Sequence, residues 1–245
     1  MKTKRFFHAL AASVMLAATA GLLAACTSND DNPVVTPPAP TDFAPAAAEA
    51  VDLGLPSGSK WANMNVGSEA PEDYGLLFAW GETVGYTSDT SDGWLFDWEN
   101  YKWYNGSNDI QTKYCTNRDY GTVDDKTVLE PEDDAAHVNW GGSWRMPTYE
   151  ELQELLDNTT SEWTTQNGIN SRTFTSKTNG NSIFLPAAGS RDGSDFGGLD
   201  SYGFYWTSSL HESYSNYSRN LYFHSGYPFL DGEPRCDGLS IRPVQ

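Results

Sequence analysis

Three short segments near the C-terminus alternate apolar with polar residues: Phe204, Trp206 and Ser208; then Leu221 and Phe223; then Leu239, Ile241 and Pro243. A two-residue period sends successive side chains to opposite faces of a strand, so residues 202–245 predict a sheet with one face buried. The intervening runs are rich in Tyr, Ser, Asn, Gly and Asp. Rigid aromatics supply contact area and small polar residues supply adaptable hydrogen bonds, a composition typical of binding loops. The pattern describes a scaffold presenting a recognition surface over residues 210–237. Tyr214, Tyr217, Tyr227 and Phe229 are the candidate ligand contacts, able to stack on a sugar face or fill a pocket on a protein partner. Asn216, Asp231 and Arg235 are the candidate polar fixing points.

Upstream, residues 51–55 and the alternating Ala62, Met64 and Val66 read as strands, and residues 76–80 as a continuous buried one. Residues 83–119 are aromatic and Gly-rich without period, which reads as long loops. The strongest helix signal follows Pro147: Thr148 caps the first free amides, Glu151 reaches back, and Leu152, Leu155 and Leu156 make one apolar stripe. Asn179-Gly180, between residues 172–176 and 182–185, is a hairpin signal. The expected fold class is α+β, with antiparallel strands, few short helices and long loops. Trp61, Trp80, Trp144 and Trp206 read as core, and Arg145 and Arg242 as structural ties between loops.

The N-terminus gives an address. Residues 1–25 combine Lys2, Lys4 and Arg5 with an Ala-rich apolar run ending Leu23-Ala24-Ala25 before Cys26, the form of a lipoprotein signal peptide. Cys26 is then the acylated residue, and membrane attachment is through lipid alone. Residues 26–48 carry Pro33, Pro37, Pro38, Pro40 and Pro45 and read as a tether. Residues 49–245 suit one domain. All 33 acidic residues lie beyond the signal, while three of the 15 basic ones lie within it. Such a surface disfavours nucleic acid and anionic membranes, whose binding relies on clustered Lys and Arg. Cys115 and Cys236 remain after processing, in a compartment where disulfides persist; they read either as a pair or as two buried thiols.

Further runs carry a resemblance: EAVDLGLPSGSKWA from Glu49, FAWGET from Phe78, GSWRMPT from Gly142, LPAAGSRDG from Leu185, YWTSS from Tyr205 and SIRPV from Ser240. In this order they resemble the Fibrobacter succinogenes major paralogous (FISUMP) domain. The resemblance implies a C-type-lectin-like fold, of the branch that includes the formylglycine-generating enzymes, in secreted or lipid-anchored proteins of Bacteroidota. The acidic residues after Cys26 are similar to the signal that sends such lipoproteins to the outer face of the outer membrane. The same branch holds retroelement-diversified receptors, which display variable C-terminal loops on a constant frame. The resemblance therefore implies a surface-exposed binding module for a glycan or protein, with a diversified receptor as one form of it.

Two other classes stay open beside it. A structural or adhesin-like envelope component would use the domain as a packing unit. Enzymatic activity has weaker footing: the formylglycine-generating enzymes use two close C-terminal cysteines, and Cys236 has no near partner in sequence. His8, His137, His211 and His224 are scattered, and no serine is marked as activated. Calcium is the one candidate cofactor. Asp124, Glu130, Asp133 and Asp134 crowd one stretch, and hard cations want several carboxylate oxygens. The alternative for Asp133 and Asp134 is the acidic first turn of a short helix.

Overall fold

A computed structural model describes residues 44–106 and 110–245. The chain is mostly β, with two short helices and long connections. A small sheet pairs β1 (Ala50–Asp52) with β2 (Lys60–Ala62). The helices are α1 (Ala135–Trp140) and α2 (Tyr149–Asn158). Then come β3 (Thr159–Gln166), β4 (Ile169–Ser176) and β5 (Ser182–Pro186), an antiparallel three-stranded sheet. The last sheet holds β6 (Ala188–Asp192), β7 (Asp195–Leu199), β8 (Gly203–Leu210), β9 (Tyr217–Phe223) and β10 (Pro228–Pro234) in the order β10-β9-β8-β6-β7. The expectation of antiparallel strands holds for all pairs but one. β6 and β8 run parallel, meeting at Gly189 and Gly203, so this sheet is mixed.

Local chemistry explains the elements. α2 begins with both halves of a capping box: Thr148 Oγ1 accepts from the Glu151 amide, and Glu151 Oε2 accepts from the Thr148 amide. Glu151 also takes two hydrogen bonds of 2.6 Å from Arg145. Leu152 and Leu155 are buried, each worth roughly 1.5–3 kcal/mol relative to exposure. β3 and β4 are joined by Asn167 and Gly168, both at positive φ, the two-residue turn whose twist matches that of paired strands. β4 and β5 form the hairpin expected around Asn179-Gly180.

β8 is buried on both faces, which places it at the centre of the packing. Trp206 joins a cluster with Phe78, Trp80, Trp144, Leu239 and Ile241. Its neighbour Tyr205 joins another with Trp61, Leu155, Phe174, Leu221 and Phe223. Trp206 donates to the Phe78 carbonyl and Trp80 to the Thr207 carbonyl, both at 2.8 Å. Residues 77–80 and 239–244 are buried, yet they pair only through isolated bridges: Leu77 with Tyr86, Phe78 with Leu239, Tyr205 with Ser240, and Val244 with both Trp61 and Arg145. Each contributes contacts to several partners instead of a ladder with one, so neither is the continuous strand its pattern predicts. Arg242 is fully buried and donates to Asn65 Oδ1 and to the carbonyls of Ala62 and Phe184. Burial pulls its pKa down to about 10.

Candidate binding surface

The β9–β10 hairpin carries the site. Its register sets Phe229 opposite Tyr222, and β8 sets Phe204 opposite Tyr222 from the other side. Directly opposed side chains share a face, so three rings line up across three strands. Phe204 and Phe229 each lie 4.8 Å from Tyr222, and Tyr202 stacks on it at 5.8 Å. The row continues through His224, 5.8 Å from Tyr222, to Tyr227, which is 5.1 Å from His224 and 5.7 Å from Phe229. Tyr202 is 42% exposed and Tyr227 61%, so both ends of this aromatic face meet solvent. Burial, the neighbouring Tyr202 and Tyr227, and the acids Asp231 and Glu233 push the Tyr222 phenol up.

The turn between the strands is held from below. Arg172, buried on β4, donates to the carbonyls of His224 (2.7 Å) and Gly226 (3.2 Å). His224 Nδ1 in turn accepts from the Gly226 amide. A turn fixed in this way loses little conformational freedom when a ligand engages it.

A cleft of 380 Å³ opens beside the far end of the hairpin, lined by His211, Tyr214, Tyr217, Asp231 and Gly232. Gly232 leaves room for the ring: a Cβ would stand 2.8 Å from His211 Cδ2, so any other residue there makes the imidazole shift. Tyr214 lies 5.1 Å from the His211 ring and 6.2 Å from Tyr217. His211 Nδ1 accepts from the amides of Ser213 and Tyr214. Burial, with Arg219 nearby, pulls its pKa down, so the neutral ring presents Nε2–H. Arg219 is itself paired with Glu212.

Of the seven residues expected to contact ligand, Tyr214, Tyr217 and Asp231 meet in the cleft, while Tyr227 and Phe229 belong to the aromatic face. Tyr217, Phe229 and Asp231 stand on strands, not in loops. Asn216 and Arg235 are not surface residues. Asn216 is buried, and Arg235 has no exposed surface. The Arg235 guanidinium lies 4.7 Å over Trp80, and donates to Tyr101 Oη and to the carbonyls of Lys113, Tyr114 and Ser215. Carbonyl oxygens and ring faces fully engage its planar fork, so it ties the hairpin base to the long loops. Sequence reading missed Tyr202, Phe204, Tyr222 and His224. The alternation through Leu221 and Phe223 implied that Tyr222 and His224 share the opposite face, and that signal was readable.

The acidic stretch proves dispersed. Asp133 is held by Lys102 (2.7 Å), Lys113 (2.5 Å) and Tyr114 Oη (2.7 Å). Burial opposes its ionisation, but these donors hold its carboxyl below the usual range. Glu130 is bonded by Lys113 and Lys126, both at 2.6 Å. Glu130, Glu132 and Asp133 have carboxylate oxygens within 4.8 Å of one another, yet the Lys113 ammonium already contacts all three. Asp124 is turned to the amides of Tyr114, Cys115 and Lys126. Asp134 caps α1 through the His137 amide and accepts from the Met146 amide. The four do not converge on one cation position, and the helix-start alternative describes Asp134. Cys115 and Cys236 are free, buried thiols rather than a disulfide. Burial and Asp237 push the Cys236 thiol up, which is the reverse of nucleophile activation.

Residues 155–244 match the family model of a domain of unknown function (DUF8237). The matched stretch runs from within α2 through β10 and contains the whole aromatic face and the cleft. No curated protein and no solved structure matches the chain. Among the described residues, no helix is long and apolar enough to cross a membrane. Cys26, the signal peptide at residues 1–25 and most of the tether lie outside the described residues.

Proposed function

We propose that this chain is a lipid-anchored, surface-exposed binding module of the FISUMP type, with a C-type-lectin-like fold, that engages a glycan or protein through the β9–β10 face. One observation carries the reading: the row of rings from Tyr202 through Tyr222 and Phe229 to Tyr227, open to solvent at both ends and resting on a buried strand. Single exposed aromatics are ordinary, whereas a contiguous set on a rigid sheet offers a flat face for sugar stacking or a hydrophobic anchor. The adjoining cleft adds Asp231 and the His211 N–H as directional partners. Clustered exposed rings and a positioned carboxylate are what a recognition surface requires, and a packing unit has no need of the open cleft.

A screen of the purified chain against glycan and envelope-protein arrays tests this. Hits should be lost in the double variant Tyr202→Ala/Tyr227→Ala, whose melting temperature stays near the parent value because both side chains are exposed. Hits that bind the double variant undiminished contradict the reading. The anchor is tested separately: metabolic labelling with a fatty acid should tag the parent chain and leave Cys26→Ala untagged.

A further inference from the structure

A set of carboxylates beside the aromatic face is left without cations. β6 ends at Asp192, and the paired backbone bonds between Arg191 and Gly238 (3.0 and 2.8 Å) bring Asp192 next to Asp237. Glu233 stands on β10, one tight turn before Asp237. Among the described residues none of these three has an ion-pair partner, and the one hydrogen bond to any of their carboxylates is the 3.6 Å contact from the Cys236 thiol to Asp237. Burial, with Asp231 and Asp192 nearby, pushes Glu233 up to about 7. Burial, with Asp192 and Glu233, pushes Asp237 to about 8.

Partnerless polar groups face the same way. Asn220 is fully buried with neither amide atom hydrogen-bonded, and the buried Ser218 Oγ is also unbonded. The β9–β10 register sets Asn220 opposite Asp231 and Ser218 opposite Glu233. Opposed residues project from one face, so the unmade hydrogen bonds aim at the side of the sheet that carries Glu233. Buried polar groups are ordinarily satisfied, and leaving three atoms unmet in one place is destabilising. The aromatic row through Tyr222 continues on this face.

The spacing selects the class of ligand. Among the described residues the trio with carboxylate oxygens gathered within 4.8 Å is Glu130, Glu132 and Asp133, so Asp192, Glu233 and Asp237 are too widely spread to ligate one small metal ion. A larger cation with several N–H donors reaches separated acceptors, and its alkyl stem can lie along the neighbouring rings. We propose that Asp192, Glu233 and Asp237, with Asn220 and Ser218, form a receptor for an organic cation, an alkylammonium or guanidinium group borne by the ligand of the β9–β10 face. This rests on the reading of that face as a binding surface and adds the chemistry of one ligand group.

Agmatine, which bears both an ammonium and a guanidinium, is the probe, titrated calorimetrically into the 245-residue chain beside calcium chloride. Saturable agmatine binding is expected at pH 8.5, weakened at least tenfold at pH 5.5, where the Glu233 and Asp237 carboxyls are protonated. The other titrating groups that face them are Asp192 on β6, Asp231 on β10, Tyr222 on β9 and the Cys236 thiol. Glu233→Gln/Asp237→Asn, which keeps shape and removes repulsion, should retain the fold by melting temperature and lose at least tenfold in affinity. No agmatine binding at pH 8.5, or equal binding by the double variant, overturns the proposal. So does calcium binding that the double variant abolishes while agmatine fails to bind. If agmatine fails while an array hit remains sensitive to Tyr202→Ala/Tyr227→Ala, the cation receptor is wrong and the binding surface stands.

Discussion

Two acidic clusters in this molecule use the same side chains to opposite ends. Around Asp133 the carboxylates are interleaved with Lys102, Lys113 and Lys126, and Tyr114 completes the set. Around Asp237 three carboxyls lie near one another with no cation among the described residues, beside an unpaired amide and hydroxyl. The first cluster lies where long loops must be tied to α1, and its lysines supply the ties. The second lies against an open aromatic face. A chain with 33 acids and 15 bases cannot neutralise every carboxylate, so where it places its lysines distinguishes structural acids from acids left available. Half-buried carboxyls with no cation beside them, such as Glu233 and Asp237, are costly to ionise, and their persistence beside a ring-lined surface is the kind of local conflict expected at functional sites.

The contrast can be broken by mutation. Asp133→Ala should have the largest effect, about 3 kcal/mol of stability by urea unfolding, because it leaves Lys102 without a carboxylate, takes the acceptor from the buried Tyr114 hydroxyl and leaves Lys113 with Glu130 and Glu132 alone. Lys113→Met should cost about 1–2 kcal/mol, since Lys102 and Lys126 remain; an equal loss with Asp133→Ala would show that Lys113 alone holds the cluster. Glu233→Lys copies the first arrangement into the second. It should raise stability at pH 8 by up to about 1 kcal/mol and abolish agmatine binding. Tyr227→Ala should change stability by under about 0.5 kcal/mol while weakening array binding, which separates the face that binds from the frame that folds.

Much of the frame was legible in the sequence because its signals are local. The capping box at Thr148 and Glu151 and the Asn179-Gly180 hairpin each depend on residues a few positions apart, whereas the single buried face read from Phe204, Trp206 and Ser208 is overturned, because β8 is packed on both faces by segments distant in sequence. β10 was not legible: Pro228, Gly232 and Pro234 all argue against a strand, and only its place at a sheet edge, where a missing N–H faces outward, tolerates them. Arg235 looked like a surface residue because the rings of Trp80, Tyr101 and Trp103 that enclose it lie more than 130 positions upstream. The aromatic face was half visible: the exposed Tyr227 and its neighbour Phe229 were marked by composition, whereas its hub Tyr222 depends on cross-strand register. The unpaired acids were hidden for the same reason, since Asp192 and Asp237 meet only through the bridge at Gly238.

The measurement that most directly tests the contrast is unfolding free energy against pH from 3 to 9, for the parent chain and for Glu233→Gln/Asp237→Asn. Carboxylates held low, such as Asp133, contribute stability above their unfolded pKa that is lost as pH falls through the folded value. Carboxyls held high do the reverse: the folded chain binds more protons, so stability falls as pH rises from about 4 through about 8. The parent should lose on the order of 2 kcal/mol across that upper window, a figure that allows for solvent screening at the half-exposed Glu233. The double variant should lose distinctly less there, keeping only the slope of Glu82 and Asp134, whose carboxyls burial also holds high, while sharing the parent's loss below pH 4. Parallel curves above pH 4 would contradict it, because Glu233 and Asp237 would then be compensated like the acids around Asp133.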